Sequence, residues 1–113
     1  MLKTRVFTLY PDLFPGPFGT GIYKKALQKK IWSLDVVNIR DSAKDKNKTV
    51  DDTPFGGGSG MLIKPDVLAA SMDSKILDDH EQTIYISPKG IKFDQSYAKK
   101  MIEKKIINIV CGH

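Results

Sequence analysis

Short apolar segments alternate along this sequence with amphipathic stretches, and this alternation restricts the possible folds more than any other feature. Runs rich in β-branched and aromatic residues, typical of strands, occur at Val6–Tyr10, Leu34–Ile39, Thr83–Ser87 and Ile106–Cys111. Strands that alternate with helices are joined by right-handed crossovers and form a mostly parallel sheet with helices on both faces. The sequence therefore predicts an α/β fold.

Three helices are predicted between these strands from apolar residues at helical spacing. Thr20, Pro65 and Asp94 are placed to start them, because they suit an N-cap or a first helical turn. The residues predicted to face the sheet are Ile22, Tyr23, Ala26 and Leu27 in the first helix, Val67, Leu68 and Met72 in the second, and Tyr97, Ala98, Met101 and Ile102 in the third.

The length of 113 residues suits one domain, which we take to span residues 1–113. No apolar run approaches the roughly 20 residues of a membrane-spanning helix, and the first residues lack the apolar core of a secretory signal. We therefore expect a cytoplasmic protein with no membrane partner. Cys111 is the single cysteine and accompanies only two histidines, so neither an intrachain disulfide nor a zinc site is expected.

Lysine dominates the charged residues. The chain has 18 lysines and arginines against 13 acidic residues, which gives a net charge of +5. Such a surface suits a polyanionic partner, with RNA the first candidate, because lysines that contact phosphates release counterions. A solvated lysine-rich surface would give the same composition, so the charge alone leaves both interpretations open. The lysines are grouped at positions 24–25, 29–30, 44–48, 99–100 and 104–105.

We predict that the polar stretch 40–52 is a loop. A glycine-rich segment follows it. Four glycines occupy five positions between Gly56 and Gly60. The segment lacks the Lys-Ser/Thr pair of a phosphate loop, and it lacks the third glycine of the dinucleotide fingerprint. Flanking Asp51-Asp52 and Pro54-Phe55 favour a loop that lets its backbone approach a ligand over a flexible linker. Either aspartate is a candidate to accept a proton or a hydrogen bond from a guanine edge, although a solvated or capping pair is equally compatible.

Two predicted strands end in turn sequences. Ser87-Pro88-Lys89-Gly90 follows the third strand and Cys111-Gly112 follows the fourth. In parallel sheets a ligand binds at the carboxyl ends of the strands, so these turns are candidates to cradle a nucleoside. Taken singly, each is an ordinary junction between a strand and a turn. His113 is the last residue and is not expected to act as a general base, because a terminal residue is poorly fixed.

The order and spacing of these motifs resemble the bacterial tRNA (guanine-N1)-methyltransferases over essentially the whole chain. The matching segments are residues 9–14 (LYPDLF), 38–41 (NIRD), 46–52 (KNKTVDD), 54–61 (PFGGGSGM), 85–90 (YISPKG) and 111–112 (CG). Three substitutions depart mildly from the family pattern: Asn47 for histidine, Phe55 for tyrosine and Ser59 for proline. A larger departure is that the chain stops at His113, where the family continues with Tyr-Glu-Gly.

The resemblance implies the amino-terminal part of a trefoil-knotted methyltransferase domain of the SPOUT class, incomplete at its carboxyl end and without the family's carboxyl-terminal RNA-binding domain. It implies S-adenosylmethionine as methyl donor, tRNA as partner, and transfer to N1 of the guanosine 3′ of the anticodon. In the family the catalytic base lies beyond the position of His113 and comes from the partner subunit of a homodimer. No catalytic residue is therefore expected within this chain, which alone should be inactive.

The resemblance also assigns binding roles to particular residues. The residues implied to hold the donor are Tyr85, Ile86, Ser87 and Pro88, with Gly112 giving backbone close to it. Ser59, Gly60 and Met61 are implied to face the methyl group and the incoming guanine, and Asp51 to lie near the neighbouring anticodon base. Two alternatives stay open: a non-catalytic nucleotide- or RNA-binding module that uses the same pocket and lysines, and an interaction domain that dimerises through its sheet edge.

Overall fold

The computed structural model describes residues 1–43, 51–52, 62–76 and 81–112. Its elements are β1 (Leu2–Thr8), α1 (Gly21–Gln28), β2 (Trp32–Asn38), β3 (Asp51–Asp52), β4 (Leu62–Ile63), α2 (Pro65–Asp73), β5 (Gln82–Tyr85), α3 (Gln95–Ile102) and β6 (Ile106–Val110). Short 3-10 turns occur at Pro11–Leu13, Gly16–Gly19 and Ile39–Ser42.

The main sheet has four strands in the order β2, β1, β6, β5, and every neighbouring pair is parallel. β1 is central: it pairs with β2 from Leu2 to Thr8 and with β6 from Lys3 to Phe7. Since α1 connects β1 with β2 and α3 connects β5 with β6, the chain forms the α/β fold with a parallel sheet that its sequence predicts.

The two faces of the sheet differ because successive side chains of a strand point to opposite sides. On one face Phe7, Val37 and Val110, which lie on β1, β2 and β6, form a core with Val67 of α2. Burying such apolar side chains stabilises each of them by about 1.5–3 kcal/mol relative to exposure. The pattern of buried residues predicted for α2 is confirmed, since Leu68 and Met72 pack against this core.

The opposite face of the sheet is next to α1 and α3 and is only partly covered. An apolar groove of about 690 Å³ lies between these helices. Its lining includes Val6, Leu34 and Ile109 from the strands, Tyr23 from α1 and Ile102 from α3. Helices therefore lie on both faces of the sheet, as predicted, but the groove leaves apolar surface in contact with solvent. We name this feature the apolar groove.

The predicted inward faces of α1 and α3 are correct only in part. Ala26 and Leu27 of α1 are half-buried, whereas Ile22 is 76% exposed and Tyr23 is also exposed. In α3 Met101 is buried but Ile102 is exposed. Helical spacing identifies which residues share a face, but within the described residues nothing covers the outer side of the groove.

All four predicted strands have somewhat different boundaries in the structure, and the largest differences are at the first strand and in the stretch 40–52. The first strand begins at Leu2, because pairing on both sides includes the polar Lys3 and Arg5, and it ends at Thr8. The 40–52 stretch is not a uniform loop: a 3-10 turn spans Ile39–Ser42, and Asp51–Asp52 pairs with Leu62–Ile63 in a small antiparallel sheet. Residues 44–50 lie outside the described residues.

The predicted helix caps give one success and one failure. The Asp94 carboxylate accepts a hydrogen bond from the Tyr97 backbone N–H at 2.8 Å, which confirms it as the cap of α3. Thr20 occupies the cap position of α1, but its hydroxyl donates instead to the Pro17 carbonyl at 2.7 Å. The preceding 3-10 turn offers this acceptor, so the prediction of a side-chain cap at Thr20 was wrong.

A buried polar network occupies the half of the sheet face that α2 does not cover. The Arg5 guanidinium donates to the Asn108 side-chain oxygen at 2.9 Å and to the Glu81 carboxylate at 3.3 Å. The Asn108 amide donates in turn to the other Glu81 oxygen at 3.2 Å, and Arg5 Nε lies 3.6 Å from Asp35. The network thus links β2, β1 and β6 with the residue before β5, and Asn108, at its centre, is 0% exposed.

Replacing Asn108 tests how much this network stabilises the fold. Asn108→Ala leaves the buried Arg5 and Glu81 groups with lost hydrogen bonds, so we expect the free energy of unfolding to fall by about 2–4 kcal/mol. Urea unfolding measures the change. Thr83→Ala, at the exposed register partner of Asn108 on β5, is the control and should change stability by less than about 1 kcal/mol. Equal unfolding midpoints for the two variants would contradict a stabilising role.

Candidate functional site

The carboxyl ends of the four parallel strands meet at one edge of the sheet, which we call the carboxyl edge. Arg40 connects the segments that follow β1 and β2. Its Nε donates to the Leu9 carbonyl at 3.4 Å, and its backbone N–H donates to the Asn38 side-chain oxygen at 3.0 Å. The Tyr10 backbone N–H donates to the Thr8 hydroxyl at 3.0 Å. The LYPDLF and NIRD motifs are therefore brought together where the strands end.

The ends of β5 and β6 lie side by side at the same edge. Tyr85 is the register partner of Val110, and the Ile86 backbone N–H donates to the Val110 carbonyl at 3.2 Å. Beyond β6, the Cys111 backbone N–H donates to the Phe7 carbonyl at 2.9 Å, so the chain stays attached to the central strand. These bonds place Gly112 beside the residues that follow β5.

Gly112 and Tyr85 approach each other closely. A Cβ atom added at Gly112 would lie 2.6 Å from the Tyr85 hydroxyl oxygen, which is shorter than real Cβ contacts allow. A side chain at position 112 would displace the Tyr85 ring, which is 58% exposed and free to move. The glycine is therefore needed for the observed position of this ring, not for a special backbone conformation.

A tight turn follows β5 and fixes the direction of the chain. The Ser87 hydroxyl accepts a hydrogen bond from the Lys89 backbone N–H at 3.2 Å, and the Ser87 carbonyl accepts one from Gly90 at 3.2 Å. Pro88 lies exposed in this turn. The serine thus uses its side chain to build the turn, which is a common local role for this residue type.

A cavity of about 410 Å³ opens at this turn. Its wall is formed by the end of β5, the turn and the segment that leads into α3: Thr83, Ile84, Tyr85, Ile86, Ser87, Gly90, Ile91, Phe93 and Tyr97. The Asp94 cap holds the start of α3 in place, and the rings of Phe93 and Tyr97 pack edge to face with centroids 6.0 Å apart. The cavity is therefore lined on one side by aromatic rings.

The sequence prediction included one part of this wall and missed another. Tyr85, Ile86 and Ser87 line the cavity, whereas Pro88 and Gly112 lie next to it without being part of its lining. The contribution of Ile91, Phe93 and Tyr97 was missed. The sequence signal that could have identified these residues is the predicted cap at Asp94. A helix that begins a few residues after a strand has its first turn near the end of that strand, at the carboxyl edge.

Of the four residues predicted to contact the guanine or its neighbouring base, the structure describes only Asp51. Asp51 lies in β3, where it is the register partner of Ile63 in the small antiparallel sheet. Asp51–Asp52 and Leu62–Ile63, which flank residues 53–61 in the sequence, are thus paired with each other. Ser59, Gly60 and Met61 themselves lie outside the described residues, and their assignment stays a prediction.

Cys111, directly after β6, has a thiol that is not activated as a nucleophile. Burial raises the pKa of the Cys111 thiol above its ordinary value, so the thiol is protonated at neutral pH. The described residues contain no group of three or more histidine, cysteine or acidic side chains placed to hold a metal ion. In the same part of the chain, no helix has the length and apolar character needed to cross a membrane.

Comparison with known proteins identifies the family of this chain. The model of the family described as tRNA (Guanine-1)-methyltransferase TrmD matches residues 2–113. A tRNA (guanine-N(1)-)-methyltransferase of Pelagibacter ubique is 56% identical over 113 residues, which are 100% of this chain and 49% of the relative. The enzyme of the same name from Wolbachia pipientis (strain wPip) is 47% identical over 109 residues, 95% of this chain and 47% of the relative.

A more distant relative shows the same coverage. The tRNA (guanine-N(1)-)-methyltransferase of Ehrlichia canis is 42% identical over 113 residues, which are 98% of this chain and 48% of the relative. The chain thus spans about half the length of the curated relatives that it matches. Because the family model covers the chain almost from end to end, this chain belongs to the TrmD family of tRNA (guanine-N1)-methyltransferases.

Proposed function

We propose that this chain is the donor-binding, amino-terminal part of an enzyme that transfers a methyl group from S-adenosylmethionine to N1 of the guanosine 3′ of the tRNA anticodon. The observation that carries the proposal is the cavity at the carboxyl ends of β5 and β6 in a chain of this family. In parallel α/β sheets this edge is where nucleotide-like ligands bind.

The residues around the cavity fit the adenosine part of such a donor. Small-molecule sites have volumes of roughly 300–1,000 Å³ and combine apolar walls with a few polar groups. Here Tyr85, Ile86 and Phe93 present exposed apolar surface to a space of about 410 Å³. We assign Tyr85, Ile86, Ser87 and Pro88 to the wall of the donor pocket, with the backbone of Gly112 closing its side.

The chemistry defines what this chain has to do. When bound, the donor supplies an electrophilic methyl group. Guanine N1 carries a proton at neutral pH, so a base has to remove that proton while the reacting atoms are held in line. We assign no catalytic base to residues 1–113; that base lies in the part of the family beyond this chain and comes from the partner subunit of a homodimer.

Binding and orientation are therefore the roles that this chain keeps in our proposal. Ser59, Gly60 and Met61 face the methyl group and the acceptor guanine, and Asp51 contacts the neighbouring anticodon base. Residues 1–113 form one domain, which acts in the cytoplasm on tRNA. Residues 1–113 alone bind the donor weakly and transfer no methyl group, because in the family the knot that completes the pocket lies beyond the residues that correspond to this chain.

Methyl transfer from labelled S-adenosylmethionine tests the proposed reaction. The enzyme to assay is a chimera of residues 1–113 followed by the remaining part of the Pelagibacter ubique relative. We expect label in an unmethylated tRNA transcript with guanosine 3′ of the anticodon, and none when adenosine replaces it, because adenine has an amino group in place of the guanine O6 and lacks the 2-amino group, so it presents different hydrogen-bonding groups to the site. Residues 1–113 alone should give no label with either transcript.

The same assay contains its own control. The unaltered Pelagibacter ubique enzyme shows that the donor and both transcripts are competent. If that enzyme is active and the chimera is folded but inactive, the amino-terminal part does not supply a working donor pocket. Salt-sensitive tRNA binding that ignores the target base would then favour a non-catalytic RNA-binding module.

Gly112→Ala in the chimera tests the donor pocket directly. The added methyl group meets the Tyr85 hydroxyl and displaces the ring, so we expect kcat/KM for the donor to fall roughly 10- to 100-fold. The exposed ring can rotate away, so the unfolding free energy should change by less than about 1 kcal/mol. Gln28→Ala, on the exposed side of α1, is the control for both measurements. Unchanged donor kinetics in Gly112→Ala would show that Gly112 and Tyr85 do not border the donor.

A further inference from the structure

The strands of the main sheet begin at the edge opposite the candidate donor site, and we call this the amino edge. The helices α1 and α3 run back toward it, so the turns that follow them lie there. Each of these turns contains a pair of exposed lysines, Lys29-Lys30 after α1 and Lys104-Lys105 after α3. Two lysine groups that are distant in sequence are thus brought to one edge of the sheet.

Backbone hydrogen bonds hold the two turns on either side of the central strand. The Leu2 backbone N–H donates to the Ile31 carbonyl at 3.2 Å, and the Lys3 backbone N–H donates to the Lys105 carbonyl at 2.8 Å. Neighbouring strands lie about 4.8 Å apart, so the starts of β2 and β6 are separated by roughly 10 Å. Lys3, which is exposed, lies between them.

The two turns share an unusual backbone conformation. Lys30 has φ +60° and Lys105 has φ +66°, and these are the non-glycine residues with positive φ in the described part of the chain. A position of this kind after a helix is usually occupied by glycine or asparagine, because other residues are strained there by about 1 kcal/mol. Lysine thus occupies such a position in the turn after each of these two helices.

These lysines have no acidic partner among the described residues. The two ion pairs found there are both made by Arg5, with Asp35 and with Glu81. The segment from α1 to its following turn contains no acidic residue, and the corresponding segment of α3 contains only Glu103. The turns after α1 and α3 therefore carry a local excess of positive charge that is available to a ligand.

We propose that Lys3, Lys30 and Lys105 form a second RNA contact surface at the amino edge, which binds phosphates of the RNA backbone. Lysines provide point charges for phosphates without reading sequence, so such a surface adds affinity and no base specificity. The choice of RNA as the polyanion rests on the proposed function. β1 has seven residues, which separate this surface from the donor edge by roughly 23 Å. The bound RNA would have to extend well beyond the target base.

Salt-dependent binding of an unmodified tRNA transcript to the 113-residue chain tests this surface. In the double variant Lys30→Asn and Lys105→Asn, asparagine tolerates positive φ, so the fold should keep or gain stability in urea unfolding. The slope of log affinity against log salt concentration should become shallower by roughly 1.4–1.8, because two phosphate contacts are lost. The charge-preserving variant Lys30→Arg and Lys105→Arg should keep the slope of the original chain.

A second double variant controls for net charge. Lys24→Asn with Lys25→Asn removes the same charge from exposed positions of α1 that belong to neither edge of the sheet, and its slope should change less than that of the amino-edge variant. The proposal is overturned if the original chain does not bind the transcript, or if the two asparagine variants change the slope equally. The experiment measures RNA binding, so a negative result argues against the amino-edge surface and leaves the donor assignment intact. Conversely, a failure of methyl transfer in the chimera does not affect the interpretation of the binding data.

Discussion

Parallel pairing of the central strand β1 with a neighbour on each side is the constraint on which the rest of this structure depends. Because β1 pairs with β2 and β6, its two ends define the two edges at which the chain makes its turns. The same strand fixes the end of both lysine-containing turns through Leu2 and Lys3, and it fixes Cys111 through the Phe7 carbonyl. One strand therefore positions the candidate donor site and the basic surface at opposite ends of the sheet.

One face of the central strand has two different environments along its length. Phe7 lies in the apolar core under α2, whereas Arg5 on the same face enters a polar network with Asn108 and Glu81. A polar network of this kind is stable only when each buried group has partners, and such a requirement makes strand register specific. A shift of β6 by one residue would move Asn108 to the other face and leave Arg5 and Glu81 without it. The apolar core alone would tolerate many small rearrangements better than this network does.

The sequence predicts the order of strands and helices well, because β-branched runs and helical spacing are local signals. It predicts the carboxyl edge as the site for the same reason, since Ser87 and Gly112 directly follow strand-like runs. It does not predict the partners of Arg5, because Asn108 lies 103 positions away and meets it only through strand register. The exposure of Ile22 was also missed, since helical spacing shows which residues share a face and not what covers that face. Phe93 and Tyr97 belong to no ligand-binding motif, and the Asp94 cap was the one local signal that the start of α3 lies near the site.

The apolar groove beside α1 has a consequence for how this chain behaves in solution. Its lining presents mostly apolar side chains to solvent, among them Phe18, Ile31 and Ile102, each more than half exposed. An exposed apolar surface of this size favours association between molecules, whereas the net charge of +5 opposes it by mutual repulsion. Added salt screens that repulsion over distances beyond about 8 Å at physiological ionic strength, and it leaves the apolar attraction in place. The balance between these two effects therefore shifts toward association as ionic strength rises.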